Sequence, residues 1–233
     1  FIAVCYETMK KIATLLDKPS DAEIYSGKVS ALKEKIHERY FVKKGAIYGS
    51  GSQIDLTYPL LAEIVPDSLT DRVTDNLHDL IMTVKNGHIA TGLVGVPVFT
   101  EWSVSNREAE LMYSILKSKG YPGYMHMIDN GATTTWEHWN GARSRIHNCY
   151  NGIGSWFYQA LGGIIPDETY PGYRKVTIDP QIPDGVDSAE CTKDTPCGPL
   201  SITWEKSREQ LIMKISIPVG CTDQTRCDLY AQS

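Results

Sequence analysis

The sequence lacks any long apolar run and any excess of positive charge, and both absences narrow its function. No stretch approaches the ~20 apolar residues that a membrane-spanning helix needs, so we expect no membrane role. The 23 Lys and Arg residues are outnumbered by 28 Asp and Glu residues, which gives a net charge of −5. Nucleic acids and anionic membranes select basic surfaces, so neither is expected as a partner.

An initiating methionine and a signal-peptide pattern are also missing. The sequence opens on Phe1-Ile2-Ala3-Val4, which is typical of the middle of a helix. We therefore expect the chain to be a piece of a longer protein.

Cysteine is sparse, with six residues in 233. Cys191 and Cys197 have the same spacing as Cys221 and Cys227. Strand-linking disulfides would indicate an oxidising compartment, while free thiols are an equally good interpretation, and the spacing fits zinc sites poorly. An extracytoplasmic location, periplasmic or secreted, is slightly favoured.

Most of the chain has the apolar spacing of amphipathic helices separated by Gly-rich loops. The first stripe, Ile2 to Leu16, ends before Pro19, and Ser-x-x-Glu capping boxes at Ser20 and Ser105 predict the start of two further helices. Further helices are predicted over Ile54–Ile64, Leu69–Val84 and Tyr150–Leu161, with a helical turn at Val98–Trp102. Stacked helical hairpins are the expected architecture of residues 1–165.

Beyond Pro171 the apolar period changes to two, which is typical of β-strands. Strands are predicted around Leu200–Trp204, Leu211–Ile217 and, more weakly, Asp223–Tyr230, with a hairpin turn at Ser207–Glu209. The Pro-, Gly- and Asp-rich stretch over residues 165–183 is interpreted as a linker. Residues 166–233 are therefore expected to form a small antiparallel β-domain.

The loop Gly131 to Gly141 places Glu137 between Trp136 and Trp139. Indole faces stack on sugar rings, and an apolar wall raises a carboxyl pKa toward working pH, so this pattern indicates a sugar-cleaving site. A packed corner with Glu137 paired to Arg143 or Arg145 is the alternative.

Several sequence blocks, in this order, resemble the C-terminal part of the bacterial α-L-rhamnosidases, the inverting glycoside hydrolases of family 78. The blocks are Gly51–Leu56, Gly87–Pro97, Gly131–Gly141, Ser144–Ile164, Pro171–Val176 and Ile178–Gln181. The resemblance implies a mainly α fold: a partial (α/α)6 toroid of helical hairpins, followed by an antiparallel β-sandwich. It also implies cleavage of terminal α-L-rhamnose, or a related deoxy-sugar, without a cofactor. The spacing of His138, His147 and Cys149 fits no standard zinc site, so no metal is expected.

The resemblance assigns roles residue by residue. Glu137 matches the family's general base, and His147 matches a histidine that contacts the sugar. His147 could instead be a satisfied core histidine that opens the last helix. Trp136 and Trp139 are candidates for a sugar platform or its packing wall.

Three weaker candidates for substrate binding lie upstream. His88 and Thr91 match a loop near the family's site, although that loop could be a simple turn, and Gln53 occupies a similar position.

The family's acidic block, which supplies the general acid, has no copy in this sequence. We therefore expect the acid, and the N-terminal half of the toroid, to come from the rest of the protein. The chain alone would be inactive. Its uncovered apolar helix faces, which include Ile2 and Met9, would make the fragment self-associate or rearrange its first helices. The alternative is a carbohydrate-binding protein of the same fold that has lost catalysis.

Overall fold

The computed structural model describes residues 1–226, which begin with helices and end with strands. No helix within that range combines the length and the apolarity needed to cross a membrane. The α-helices are α1 Ile2–Leu15, α2 Pro19–Tyr40, α3 Gln53–Leu61, α4 Asp67–Asp79, α5 Gly95–Ser105, α6 Ala109–Lys117, α7 Tyr124–Asp129 and α8 Gly154–Trp156. Single π-helical turns follow α4 at Leu80–Val84 and α8 at Phe157–Leu161, and a 3₁₀ helix, Asn148–Ile153, precedes α8.

Local chemistry explains where several helices begin. Ser52 is the N-cap of α3, where its hydroxyl accepts a hydrogen bond from the Asp55 N–H at 3.3 Å. Helix α2 begins at Pro19, so the capping box predicted at Ser20 is wrong. Proline has no N–H to satisfy and its fixed φ suits the first helical position, so the helix starts one residue early and without a side-chain cap.

The capping box predicted at Ser105 is also wrong. Ser105 is the last residue of α5, and Arg107 adopts a φ of 59°, so the chain turns there before α6 begins at Ala109. Instead of the single helical turn predicted at Val98–Trp102, the structure has the full helix α5.

The helical core centres on α5, which lies between α3, α6 and the 3₁₀ helix. Val96, Phe99 and Trp102 are each 1% exposed, and the rings of Phe99 and Trp102 stack with centroids 5.7 Å apart. Two short strands, β1 Phe41–Val42 and β2 Ile47–Tyr48, form an antiparallel pair between α2 and α3. Trp136 and Trp139, from the site loop described below, belong to the same core.

The strands after α8 form two three-stranded sheets. Their bounds are β3 Ile164–Pro166, β4 Lys175–Ile178, β5 Ser188–Thr195, β6 Gly198–Lys206, β7 Leu211–Ser216 and β8 Thr222–Thr225. Strands β5, β6 and β7 are antiparallel neighbours, and β3 pairs with β4 in the same way. Strand β8 lies parallel to β4, because the chain leaves β7 and crosses to the other sheet.

One detail of the sequence prediction changes here, namely the linker. Residues 165–183, which were predicted to be a linker, contain β4 and most of β3. The buried side chains Val176 and Ile178 of β4 belong to a second core around Trp204. The predicted turn at Ser207–Glu209 is confirmed, and the Ser207 N–H donates to the Gln210 carbonyl at 2.8 Å. The weak strand predicted over Asp223–Tyr230 matches β8 up to Thr225, and its residues 227–230 lie outside the described residues. The boundary between a helical domain ending at residue 165 and a β-domain beginning at residue 166 stays a prediction.

A glycine marks the junction between the helices and the sheets. Gly163 has a φ of +70°, and a Cβ at this position would lie 2.2 Å from the nitrogen of Pro180. Its carbonyl accepts from the Asp179 N–H at 2.9 Å, and Trp204 Nε1 donates to the Leu161 carbonyl at 2.8 Å. Only a residue without a side chain fits there.

Candidate functional site

The loop of residues 131–147, named here the Glu137 loop, doubles back on itself. The Glu137 N–H donates to the Ser144 carbonyl and the His147 N–H donates to the Thr135 carbonyl, both at 2.9 Å. The return turn requires Gly141, which has a φ of +74° and packs so closely on the Trp136 ring that a Cβ there would lie 2.9 Å from it. These two backbone hydrogen bonds pair the start of the loop with its end, so Glu137 and His147 belong to the same hydrogen-bonded segment.

The Glu137 carboxylate is held by its own loop and remains accessible, with its side chain 25% exposed. One oxygen, Oε2, accepts from the Ser144 N–H at 3.2 Å. The other, Oε1, lies 3.5 Å from Arg143 Nη1 and 3.8 Å from His138 Nε2.

These contacts set the charge of Glu137. The hydrogen bond from the Ser144 N–H, aided by the nearby Arg143 guanidinium and His138, lowers the pKa of the Glu137 carboxyl below its usual range, against the opposing effect of burial. The raised pKa predicted from an apolar wall is therefore wrong. The carboxylate stays ionised at neutral pH, which is the state a general base requires.

Neither tryptophan of the motif offers a free ring face. Trp136 is 3% exposed, with Gly141 and the Arg145 guanidinium against its ring. Trp139 is 8% exposed and stacks on Tyr150, with ring centroids 3.8 Å apart. The sugar-platform interpretation of both residues is thus wrong, because other side chains already cover the indole faces, and the packing-wall interpretation fits.

His147 caps the 3₁₀ helix. Its Nδ1 accepts from the Cys149 N–H at 3.1 Å and lies 2.7 Å from the Cys149 sulfur. Because a neutral imidazole that accepts at Nδ1 carries its proton on Nε2, the second nitrogen is a hydrogen-bond donor. His147 therefore opens the last helix, as one interpretation of the sequence held, yet it is only partly buried.

An open groove of about 410 Å³ lies beside this histidine. It is lined by Thr134, Thr135, Ile146, His147, Asn148 and Asn151. The Thr135 hydroxyl donates to the Asn151 side-chain oxygen at 2.6 Å, so the rim is organised by polar groups. A groove lined by hydroxyl, amide and imidazole groups has the chemistry to bind sugar hydroxyls.

The second loop, residues 87–94, contacts the Glu137 loop through its backbone. The Thr91 carbonyl accepts from Trp139 Nε1 at 2.9 Å. His88 Nδ1 lies 3.1 Å from the Pro122 carbonyl, to which it donates. Thr91 therefore joins the two loops directly, while His88 ties its loop to the turn after α6.

Gln53 lies inside the protein, at 1% exposure. Its Oε1 accepts from the Ala90 N–H at 2.7 Å, and so fixes the 87–94 loop to the start of α3. The prediction that Gln53 binds substrate is wrong for this structure, because a fully buried side chain cannot contact a sugar. Gln53 supports the loop instead.

Some residues that shape the site were not identified from the sequence. Tyr150 carries Trp139 and its carbonyl accepts from the Tyr124 hydroxyl at 2.9 Å, while Cys149 fixes the His147 ring. The contact between His147 and Cys149 could have been suspected from their two-residue spacing. Nothing in the sequence indicated the roles of Tyr124 and Tyr150. Asp55, a spare carboxylate near the site loops, accepts from the Ser50 hydroxyl and N–H and so belongs to a turn.

Metal binding has no support among residues 1–226, where no three His, Cys, Asp or Glu side chains converge. His138, His147 and Cys149 do not form a ligand set there.

Two family models match this chain. Residues 1–161 match the bacterial alpha-L-rhamnosidase 6 hairpin glycosidase domain, and residues 163–225 match the bacterial alpha-L-rhamnosidase C-terminal domain. Among curated proteins, an alpha-L-rhamnosidase of Alteromonas sp. (strain LOR) is 27% identical over 230 residues, which cover 94% of this chain and 25% of that protein. The chain thus spans about a quarter of the length of the curated relatives it matches.

Solved structures agree with this result. The alpha-L-rhamnosidase from Streptomyces avermitilis, solved in complex with L-rhamnose, superposes with a TM-score of 0.88 at 26% identity, over 96% of this chain and 22% of that one. The enzyme from Dictyoglumus thermophilum gives a TM-score of 0.89 at 29% identity, over 96% and 26%. The predicted fold class, helical hairpins of a six-hairpin toroid followed by a small β-domain, is confirmed.

Proposed function

Because this chain belongs to the family of bacterial α-L-rhamnosidases with a six-hairpin glycosidase domain, we propose that the protein containing it hydrolyses terminal α-L-rhamnosyl linkages. The chain supplies one side of the active site, namely the Glu137 loop and the groove beside His147. The remaining length, about three quarters by comparison with the relatives, supplies the other side.

Glu137 acts as the general base in this proposal. Inverting hydrolysis needs a carboxylate that removes a proton from an attacking water, opposite a carboxylic acid that protonates the leaving oxygen. The single observation that carries the assignment is the Glu137 carboxylate, accessible and held in its ionised form by Ser144 and Arg143. The acid partner is assigned to the part of the protein outside this chain.

His147 binds the sugar in this scheme. With Nδ1 occupied by Cys149, the Nε2–H of a neutral ring is left to donate to a sugar hydroxyl in the groove of Thr135 and Asn151. The L-rhamnose complex of the Streptomyces avermitilis relative supports the choice of sugar.

The assignment of Glu137 is tested by Glu137→Gln in the whole protein, with aryl α-L-rhamnosides as substrates. Loss of an acid or base group costs about 10²–10⁴-fold in rate. The melting temperature should stay nearly constant, and Glu101→Gln, an exposed carboxylate of α5, is the matched control. Retained turnover in Glu137→Gln would refute the base. If the unaltered whole protein binds rhamnose but never cleaves it, the non-catalytic alternative holds.

The pH profile gives a second test of the same carboxylate. Arg143→Ala removes a charge that lowers the Glu137 pKa, so that pKa should rise. The acidic limb of kcat/KM should then move to higher pH, while Arg143→Lys should restore most of the original profile. If the acidic limb is unchanged in Arg143→Ala, Glu137 is not the group whose ionisation produces that limb.

A double-mutant cycle tests whether Glu137 and His147 share one sugar subsite. Calorimetric affinities for rhamnose in Glu137→Gln, His147→Ala and the double variant should show coupling of roughly 0.5–3 kcal/mol, as for residues that share a ligand. Strict additivity, or an unchanged affinity in His147→Ala, would reduce His147 to a helix cap.

A further inference from the structure

Three turns of the β-domain meet at one end of the two sheets. The turn between β5 and β6, residues 195–198, touches the segment before β8, since a Cβ on Gly198 would lie 3.4 Å from Pro218 Cβ. It also approaches the loop before β4, where a Cβ on Gly172 would lie 3.9 Å from Pro196 Cγ. Cys197 stands between these two contacts.

Local hydrogen bonds fix the positions of both cysteines in these turns. The Thr195 hydroxyl accepts from the Cys197 N–H at 3.2 Å and donates to the Gly198 carbonyl at 2.6 Å. On the other side, the Cys221 N–H donates to the Pro218 carbonyl at 3.1 Å. Burial and, across the gap, the neighbouring Cys197 raise the pKa of the Cys221 thiol, in keeping with the contact between the two turns. Cys197 is exposed and Cys221 is partly buried.

The pairing within the first sequence cluster does not fit this geometry. Cys191 lies within β5 opposite Ile202, and its sulfur is directed at Gly162. The strand from Cys191 to Thr195 alone covers about 13 Å at ~3.3 Å per residue. Disulfides need Cα atoms within about 7 Å, so Cys191 cannot reach Cys197. Cys227, the other member of the second cluster, lies outside the described residues.

We propose that Cys197 and Cys221 form a disulfide that joins the β5–β6–β7 sheet to the β3–β4–β8 sheet. The inference is independent of the proposed hydrolase activity. It also supports the extracytoplasmic location as a proposal, because such bonds persist in oxidising compartments.

Thiol–disulfide exchange with a small-molecule disulfide would form the bond. The exposed Cys197 thiolate attacks that disulfide and releases one small thiol, which leaves a mixed disulfide. The Cys221 thiol then loses its proton and attacks the Cys197 sulfur, releasing the second small thiol. Two protein thiols are oxidised and one small disulfide is reduced.

Burial, together with the neighbouring Cys197 thiol, raises the pKa of the Cys221 thiol, against the effect of Arg174. The second exchange step should therefore be faster at alkaline pH, where more of Cys221 is thiolate.

Trypsin separates all the cysteines concerned, which makes the pairing directly readable. Cleavage after lysine and arginine places Cys191 in residues 176–193, Cys197 in 194–206, Cys221 in 215–226 and Cys227 at the start of the next peptide. The protein is equilibrated in a glutathione buffer rich in the oxidised form, its remaining thiols are alkylated, and the digest is analysed by mass spectrometry. The expected product is residues 194–206 linked to 215–226. A link from 215–226 to the Cys227 peptide, or full alkylation of Cys197 and Cys221, would overturn the proposal.

Thermal unfolding supplies the second measurement. Reduction should lower Tm by roughly 5–10 °C, because a cross-link of this loop length restricts the unfolded chain. Cys197→Ser and Cys221→Ser should each lose this sensitivity to reductant, whereas Cys191→Ser in the same sheet should keep it. An oxidised protein whose Tm does not respond to reductant, or a Cys191→Ser variant that loses the response, would refute the pairing.

Discussion

The first helical hairpin and the helices around α5 have very different surroundings. Only Ala3 and Ala13 are buried in the 14 residues of α1, and only Val29 in the 22 residues of α2. In the 11 residues of α5, by contrast, the positions from Val96 to Val104 are mostly buried. Apolar periodicity thus identifies which face of a helix can be buried, but not whether other residues of this chain bury it.

The two groups of helices therefore have different roles: one supports the site loops, and the other exposes an apolar surface. The helices around α5 complete their packing among residues 1–161 and hold the site loops through Gln53 and Trp139. The α1–α2 hairpin keeps large apolar side chains in solvent, with Leu15 65% and Leu16 61% exposed. We expect substitutions in the first region to change folding stability, and substitutions in the second to change association.

The largest expected effect is on the free energy of unfolding when the centre of α5 is truncated. Trp102→Ala removes a side chain that is 1% exposed and should cost about 3–5 kcal/mol, as aromatic truncations in packed cores do. Ile12→Ala in α1, where Ile12 is 42% exposed, should cost less than about 1 kcal/mol. Urea titrations measure both, and similar losses would abolish the distinction between the regions.

A smaller effect is expected where α3 supports the 87–94 loop. Gln53→Leu leaves the Ala90 N–H without its acceptor and should destabilise the fold by about 1–2 kcal/mol. It also removes the Gln53 Nε2, a buried donor with no partner in the described residues, which moderates the loss. Gln210→Leu, in the exposed turn before β7, is the control and should change stability little. A neutral Gln53→Leu would show that the loop stands without its anchor.

The exposed apolar face of the α1–α2 hairpin should make the oligomeric state of the isolated chain depend on its concentration. The isolated chain is expected to self-associate through α1, and Leu15→Lys should weaken that association about tenfold, because a charge cannot be buried in an apolar contact without cost. Val219→Lys, at a fully exposed valine in a turn of the β-domain, should leave it unchanged. Sedimentation velocity measures both, and a stable monomer of the unaltered chain at all concentrations would contradict the expectation.

The smallest effect is a dependence of stability on pH within the packed helices. His78 Nε2 lies 3.0 Å from Glu108 Oε2, and the hydrogen bond to Glu108 raises the His78 pKa above 6.5, against the effect of burial. A raised folded-state pKa stabilises fully below pH 6.5, and this contribution is lost as the pH rises through the folded value. The pair is partly exposed, so the contribution should stay below about 1 kcal/mol. His78→Gln should flatten this part of the stability profile, while a profile that keeps its slope would assign the effect elsewhere.

Sequence reasoning reached the helical architecture because its signals were local. The stripe from Ile2 and the helix predicted from Ile54 depend on neighbours within a turn or two, and the structure contains both helices. The capping boxes at Ser20 and Ser105 failed because competing local geometry, Pro19 in one case and the left-handed Arg107 in the other, decided where each helix begins.

The site was harder to predict because it depends on long-range packing. The pattern of Glu137 between two indoles singled out a candidate loop, but Tyr150 and Arg145 cover those rings, and the Ser144 N–H reverses the expected pKa shift. Partners so placed by the fold leave no trace in the spacing of a single sequence.

Gly163 has a consequence for how this protein tolerates sequence drift. Its missing side chain lets the backbone of Asp179 and Pro180 lie directly against the end of the helical layer. Any other residue would meet main-chain atoms, which cannot swing aside as a flexible side chain would. In a saturation library screened for folded protein, position 163 should accept glycine alone, although it takes no part in the chemistry of Glu137, and so invariance there would record architecture and not catalysis.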